Sequence, residues 1–363
     1  MAIRSTYSSA LDFSALQQHL NACANDPTTQ AVMVLIADQP IDIDAMNAVL
    51  RAAPIAVFGG VFPGVVCENK VYEAGMVLID LPFEVSFIDG ELASDLPALP
   101  ELQSVEGNAL SAFLFVDSLA ENKGRLIDAL YNEYGTKLKY IGGGAGSLSF
   151  TSTPCVLSNR GLRSDAFVMG LTHAPVSLGV AHGWQPISEI MKVTESKGRE
   201  LISINWEPAF KVYKKVVEKH SGKSFHETDF FELAKSYPFG KPLVQAEYVV
   251  RDPFGTDNTS IFLVDAIETG EFVYIMHGEK ESLLAGARKA ADIARDGESG
   301  GESATFCIDC ISRRLFMGDD FYEELATVSP ENNAVGALTI GELANKGNSY
   351  LELYNKTICV ARL

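Results

Sequence analysis

The sequence predicts a mixed α+β fold: repeated β-α-β-β units form mixed sheets with helices packed on them, and the units group into two halves. One order of segments recurs three times. An apolar run ends in aspartate, a helix-length stretch and a glycine-rich turn follow, and a second apolar run closes the unit. The first copy runs from AVMVLIAD, ending at Asp38, through Gly60 to AGMVLIDL; the second from AFLFVD at Asp117 through Gly143 to DAFVMGL. The third runs from ATFCID at Asp309 through Gly336 to KTICVARL. Between each aspartate and its glycine there is room for one helix and its connections, as expected of a structural repeat. A fourth, degraded copy is expected from Glu200: LISI, the helix EPAFKVYKKVVEKH, VQAEYVVR, a loop holding Gly255, and SIFLVDAI. The resulting division is 1–215, two units plus an antiparallel extension, and 216–363.

Each element has its own warrant. Residues 14–24 carry apolar side chains at helical spacing, and Pro27 forbids continuation. Residues 42–52 and 122–134 show the same amphipathic period and serve as crossover helices. Residues 92–103, rich in Pro and Leu without a period, read as a packed loop. Alternation in SLGVAHG and in MKVTES predicts an antiparallel pair. Asn205 is placed to cap the next helix and Pro208 to open it. In that helix Phe210, Tyr213, Val216 and Val217 share one stripe, so its lysines form a solvated face. Residues 281–295 form a strong helix with basic residues in its second half, ended by DGESGG.

Composition narrows the function. At 363 residues and 47% hydrophobic content the chain can bury large cores. A net charge of −18 argues against nucleic acid or an anionic membrane as partner, since phosphate binding needs clustered Lys and Arg. The N-terminal MAIRSTYSSALDF lacks the continuous apolar stretch of a secretory signal, and the apolar runs have a strand's length rather than a membrane span's. Six scattered cysteines suit a reducing compartment. The expected location is the cytoplasm, without membrane insertion.

Chemical motifs are sparse. GGGAGS, at Gly142 to Ser147, is followed by SLSFTSTP rather than by a helix, so it reads as a turn or bulge, not a dinucleotide fingerprint; no ATP-binding loop occurs. In CIDC, Cys307 and Cys310 would point to opposite faces of a strand; half of a zinc site has no second half. If the strand ends near Asp309, Cys310 falls at a helix N-terminus, where a thiolate is favoured and a nucleophile becomes conceivable. The three aspartates are candidates for helix caps and, at strand ends, for a pocket. The histidines lack a ligand spacing, no metal site is expected, and His182 in VAHGWQP is the one candidate for an axial or pH-sensitive role. No catalytic triad order appears.

Four stretches together resemble the FIST family of bacterial sensory proteins, with paired FIST N and FIST C domains. They are IGGGAGSLSF with DAFVMGL; GVAHGWQPISEIMKVTESKGRELISINWEPAFKVY; CISR after an apolar strand; and GALTIGELANKGNSYLELYNKTICV. The matching positions are Gly142, Gly143, Gly144, Pro208, Arg251, Cys310, Arg313, Gly336, Gly341, Glu342, Asn355 and Thr357. Trp184 stands where relatives often carry a smaller residue, and GVFPGVVCEN departs from the more polar pattern expected of the first unit. The resemblance implies a sensory module for a small ligand, an amino acid or similar metabolite, with some relatives binding haem and sensing nitric oxide. The ligand residues it implies are Arg313, Glu342, Asn355, Arg251, Cys310, Gly143 and Asp309, with His182 as the alternative haem ligand and Cys310 as the alternative nucleophile of an enzyme acting on an amino-acid-like substrate. Arg313 has the fork to hold a carboxylate; Glu342 and Asn355 suit an amine or the arginine itself, and a purely structural ion pair is equally open. Output would pass through a separate partner, a histidine kinase or other signalling protein, or through oligomerisation.

Overall fold

The computed structural model describes residues 3–92, 96, 99, 110–243, 247–297, 304–345 and 349–363. Within them the three copies fold alike. Each supplies a lead strand, two parallel central strands joined by helix, a hairpin, and a closing strand antiparallel to the first central strand. In the first unit these are Arg4–Ser8, Ala31–Ala37 and Ala56–Phe62 joined by the helix Ile43–Ala52, the hairpin Gly64–Cys67 with Lys70–Tyr72, and Met76–Leu81. In the second they are Ser86–Glu91, Leu110–Asp117 and Leu138–Ala145 joined by Lys123–Tyr134, the hairpin Val156–Ser158 with Gly161–Arg163, and Ala166–Thr172. In the third they are Ser177–Ala181, Thr305–Cys310 and Ala334–Thr339 joined by Ile311–Met317 and Phe321–Val328, the hairpin Glu342–Ala344 with Glu352–Tyr354, and Ile358–Arg362. Further helices, Phe13–Ala24 and Lys280–Asp296, lead into the first and third copies. The first-unit central run AVMVLIA is buried at every residue, as expected of a strand covered on both faces.

No unit keeps its own hairpin. That of the first unit pairs with Ala334–Thr339 of the third, that of the second with Ala56–Phe62 of the first, and that of the third with Leu138–Ala145 of the second. Three six-stranded sheets result, each completed by a neighbour in a closed cycle. One glycine per unit makes the central pair possible: a Cβ on Gly59, Gly142 or Gly336 would fall 1.9, 1.7 or 1.7 Å from the carbonyl oxygen of Val34, Leu114 or Cys307. These three glycines are equivalent by strand register. The three aspartates are not: register aligns Ala37 with Asp117 and Cys310, so Asp38 lies one position later and Asp309 one earlier.

The segment expected to be a fourth copy has a different architecture. Between Ser177–Ala181 and the helix Lys280–Asp296 the chain inserts a nine-stranded sheet with the order Tyr248–Arg251, Phe239–Pro242, Phe272–His277, Met191–Lys197, Glu200–Ile204, Ile261–Leu263, Pro253–Thr256 and two short outliers. Every pairing in it is antiparallel. It has its own core, in which Phe210, Tyr213 and Val217 of the helix Ala209–Ser221 are buried, the stripe expected for that helix. Positions 215 and 216 lie inside this helix.

Local expectations divide in the same way. The helices Phe13–Ala24, Ile43–Ala52, Lys123–Tyr134 and Lys280–Asp296 stand where the periodicity puts them. SLGVAHG and MKVTES do not pair with each other; Ser177–Ala181 joins Ile358–Arg362, and Met191–Lys197 joins Glu200–Ile204. Asn205 is not a cap: it holds a left-handed turn (φ 49°) ahead of the Glu207–Pro208 strand, and Pro208 is itself the N-cap position. Nor do the three aspartates stand at N-caps: those positions are Asp42, whose side chain accepts from the Ala45 amide, and Asn122 and Cys310, whose side chains make no cap bond. Most of the loop expected over 92–103 lies outside the described residues.

Candidate functional site

The central strands of the third unit end at Cys310 and Thr339, and the glycine turn after the second of them brings Ile340 and Gly341 beside Cys310. Gly341 takes φ 86°, a conformation open chiefly to glycine, which turns the chain into the exchanged hairpin. Around this strand end lies a cavity of about 290 Å³. Its floor is Cys310, Gly341 and Asn355; the inserted sheet contributes Asp252, Phe254 and Val264; and Leu148 and Phe150 reach it from the loop after the second unit's GGGAGS. The size is at the small end for small-molecule sites, roughly 300–1,000 Å³, and the position beyond strand ends is where α/β folds place ligands. Phe150 and Phe254 stack with centroids 6.1 Å apart, and both remain 41% or more exposed. An apolar rim therefore surrounds a polar floor.

Two residues of the lining, Asn355 and Asp252, carry buried acceptors. Asn355 Nδ2 donates to Asp265 Oδ2 at 2.7 Å and to the Tyr354 carbonyl at 3.0 Å, which fixes the amide and leaves Oδ1 buried without a hydrogen bond. Asp252 Oδ1 has the Lys356 ammonium at 3.1 Å, but out of hydrogen-bonding alignment. Asp265 is paired with Lys123 at 3.0 Å; burial pushes its carboxyl up, and Lys123, Arg251 and Asn355 more than offset this, so it stays below the usual range. Among the described residues lining the cavity none is a cation.

Beneath the floor is a buried ionic cluster centred on Arg313. Its guanidinium forks onto Glu324, Nε to Oε1 at 3.0 Å and Nη2 to Oε2. Nη1 also donates to the carbonyls of His182 (2.5 Å) and Lys356 (3.3 Å), and Nη2 to that of Leu283 (3.2 Å). Asp309 Oδ1 lies 3.3 Å from Nε. Arg313, Glu324 and Asp309 are all fully buried. Burial first, and the neighbouring Glu324 next, hold the Asp309 carboxyl well above its ordinary range, so it keeps its proton beside the ion pair. Arg313 thus ties the first turn after one strand to the following helix, to the Lys280–Asp296 helix and to the chain around His182.

The residues expected to meet a ligand separate into two groups. Asn355 and Cys310 line the cavity. Glu342 sits behind it: Oε1 accepts from Thr339 Oγ1 and Oε2 from the Thr357 amide, both at 3.1 Å, and burial holds its carboxyl well above the usual range. Arg313 spends its fork on Glu324, so of the two options open in the sequence the internal ion pair is the one formed, with a glutamate other than Glu342. Arg251 is buried and donates to the carbonyls of Ala266, Val250 and Leu353. Gly143 seats the exchanged hairpin, where a Cβ would come within 2.8 Å of Thr339 and the Gly341 carbonyl.

Cys310 is the N-cap of the helix Ile311–Met317, yet burial and the nearby Glu342 and Asp252 push its thiol well above the ordinary value. The favourable helix end does not yield a thiolate there. Burial also raises Cys307, and all six cysteines are buried thiols outside any disulfide. His182 Nδ1 accepts from the Trp184 amide at 3.0 Å. The groove beside it is walled by Gln185, Glu247, Ser282 and Lys289 as well as Trp184 and Tyr248. Ala181, Gly183, Ala285 and Gly286 complete a lining of mixed polarity, in which Glu247 and Lys289 stand where a porphyrin face would need apolar contact.

Sequence reasoning missed Asp252, Asp265, Lys123 and Lys356, because they pair across elements remote in the chain. A signal existed for Lys356, which lies inside the distinctive YNKT stretch; its carbonyl also takes the Trp184 indole N–H at 3.0 Å. Among the described residues no helix is long and apolar enough to cross a membrane.

Comparison with known families adds two matches. Residues 30–207 match the FIST N domain and residues 209–345 the FIST C domain. No curated protein matches the chain. FIST domains are sensory domains of signal transduction.

Proposed function

The chain belongs to the FIST family, and on that premise we propose that it senses a small metabolite with an apolar body and an N–H donor, an amino acid or related amine, in the cavity between Cys310, Asn355 and the Phe150–Phe254 pair. One observation carries this reading: a buried amide oxygen without a hydrogen bond, on a residue lining the apolar-rimmed cavity. Leaving such an acceptor unpaired costs about 1–3 kcal/mol, which a donor from a ligand would recover. The neighbouring Asp252 favours a charged amine over a neutral amide. Burying the ligand would join the loop of the second unit, the strand ends of the third and the inserted sheet, so occupancy would alter how these parts lie together and what they present to a partner. The output is a separate signalling protein, a histidine kinase being one class.

A thermal-shift screen of amino acids and simple amines tests this. A ligand at one hundred times its Kd should stabilise the protein by about 2.7 kcal/mol. Leu315→Trp, at a half-exposed rim position, should block the cavity without disturbing the core, and Asn355→Leu should remove the acceptor. The reading fails if no amine in a broad panel raises the melting temperature, or if both variants respond like the parent.

A further inference from the structure

We propose a second, separate site in the first unit: a three-donor centre for a divalent transition metal such as zinc, formed by His19, Cys23 and Asp80. His19 and Cys23 are one helical turn apart on the helix Phe13–Ala24, so they share a face. Asp80 comes to them from the closing strand Met76–Leu81. His19 Nε2 lies 2.8 Å from Asp80 Oδ1, and Cys23 Sγ lies 3.4 Å from each. In a tetrahedral zinc site, with bonds of about 2.0–2.2 Å to nitrogen and oxygen and about 2.3 Å to sulfur, donors stand roughly 3.4–3.6 Å apart. Two of the three edges already match, and the third needs only the His19–Asp80 hydrogen bond to open.

The fold does not require this acid. Strand register places Leu171 of the second unit and Arg362 of the third where the first has Asp80. Asp80 is the one charged residue of a fully buried strand, MVLIDL, a costly position without a counter-charge. Arg4 Nε, 3.5 Å from Oδ2, supplies part of one and would balance a carboxylate that also held a metal. The mixed nitrogen, sulfur and oxygen set favours zinc, cobalt or a similar ion over magnesium or calcium, which take oxygen ligands. The His19 side chain is 25% exposed, so the cluster lies near the surface, and a water would supply the fourth ligand. Binding would release the Cys23 proton to solvent as the sulfur becomes a thiolate ligand.

Cobalt(II) titration of the metal-free full chain tests the site. The expected result is one equivalent bound, with visible d–d bands of tetrahedral type and a near-ultraviolet sulfur-to-cobalt band, all abolished by excess zinc. Cys23→Ser should lose the sulfur band and His19→Gln should weaken binding at least roughly tenfold. His19 is partly exposed and serine is near-isosteric with cysteine, and unchanged circular dichroism would show that both variants fold. Absence of the sulfur band in the parent protein, its survival in Cys23→Ser, or unweakened binding in His19→Gln would each overturn the assignment.

Discussion

Replacing Arg313 by methionine should be among the most damaging single changes in the protein. The substitution keeps an unbranched apolar side chain but strips both hydrogen bonds from the Glu324 carboxylate and a donor from each of the His182, Lys356 and Leu283 carbonyls. Breaking a buried pair from one side costs about 3–5 kcal/mol, because the surviving charge has no water to turn to. Against a whole-protein stability of roughly 5–15 kcal/mol, that is enough to unfold much of the population. The second change discriminates. Arg313→Met with Glu324→Leu leaves no bare charge, so the pair should cost less than Arg313→Met alone, with a coupling on the order of 2–3 kcal/mol. Urea unfolding followed by Trp184 fluorescence is a direct readout, since the indole shares the Lys356 carbonyl with Arg313. A loss below about 1 kcal/mol for Arg313→Met, or additive losses in the double variant, would refute the account of the cluster as an internal tie.

Two further outcomes follow from the same geometry. Asp309 keeps its proton in the folded chain at pH values where the unfolded chain has lost it, so the folded state binds more protons there and stability falls as pH rises from the ordinary carboxyl range, roughly 4, towards the folded value. Asp309→Asn should reduce that slope by up to about 1.4 kcal/mol per pH unit, and urea midpoints with identical pH dependence in the two proteins would contradict it. Gly336→Ala places a methyl 1.7 Å from the Cys307 carbonyl and should cost at least about 3 kcal/mol, the upper end of overpacking, whereas Gly124→Ala, with nothing within 4 Å, should be neutral or slightly stabilising. Equal melting temperatures for these two alanine variants would show that the strand spacing is not set by the glycine.

The repeat was legible because each copy carries its own period: apolar runs of strand length, an amphipathic stretch and a glycine turn. The fourth copy misled because LISI, the lysine-rich helix and SIFLVDAI have the right elements in sequence, while parallel or antiparallel pairing is decided by partners such as Phe272–His277 that no local pattern names. Asn355 and Cys310 could be picked out from a motif. What Arg313 does could not be, since its true partner, Glu324, lies in a segment that carries no motif, and the carbonyls of His182 and Leu283 are silent in any sequence. The i, i+4 spacing of His19 and Cys23 makes no ligand pattern by itself, because its third member, Asp80, is brought in only by the closing strand.

The hand-over of hairpins has a bearing on synthesis. As the chain leaves the ribosome, the first sheet cannot be finished until residue 163 has emerged, the second until residue 354, and the third until residue 362. Between the emergence of residue 172 and that of residue 342 the second sheet stands with the edge of Leu138–Ala145 open, a row of unpaired backbone groups that invites wrong partners. A fragment ending near residue 207 would inherit that condition permanently, and the longer chain leaves it only when the hairpin 342–354 arrives.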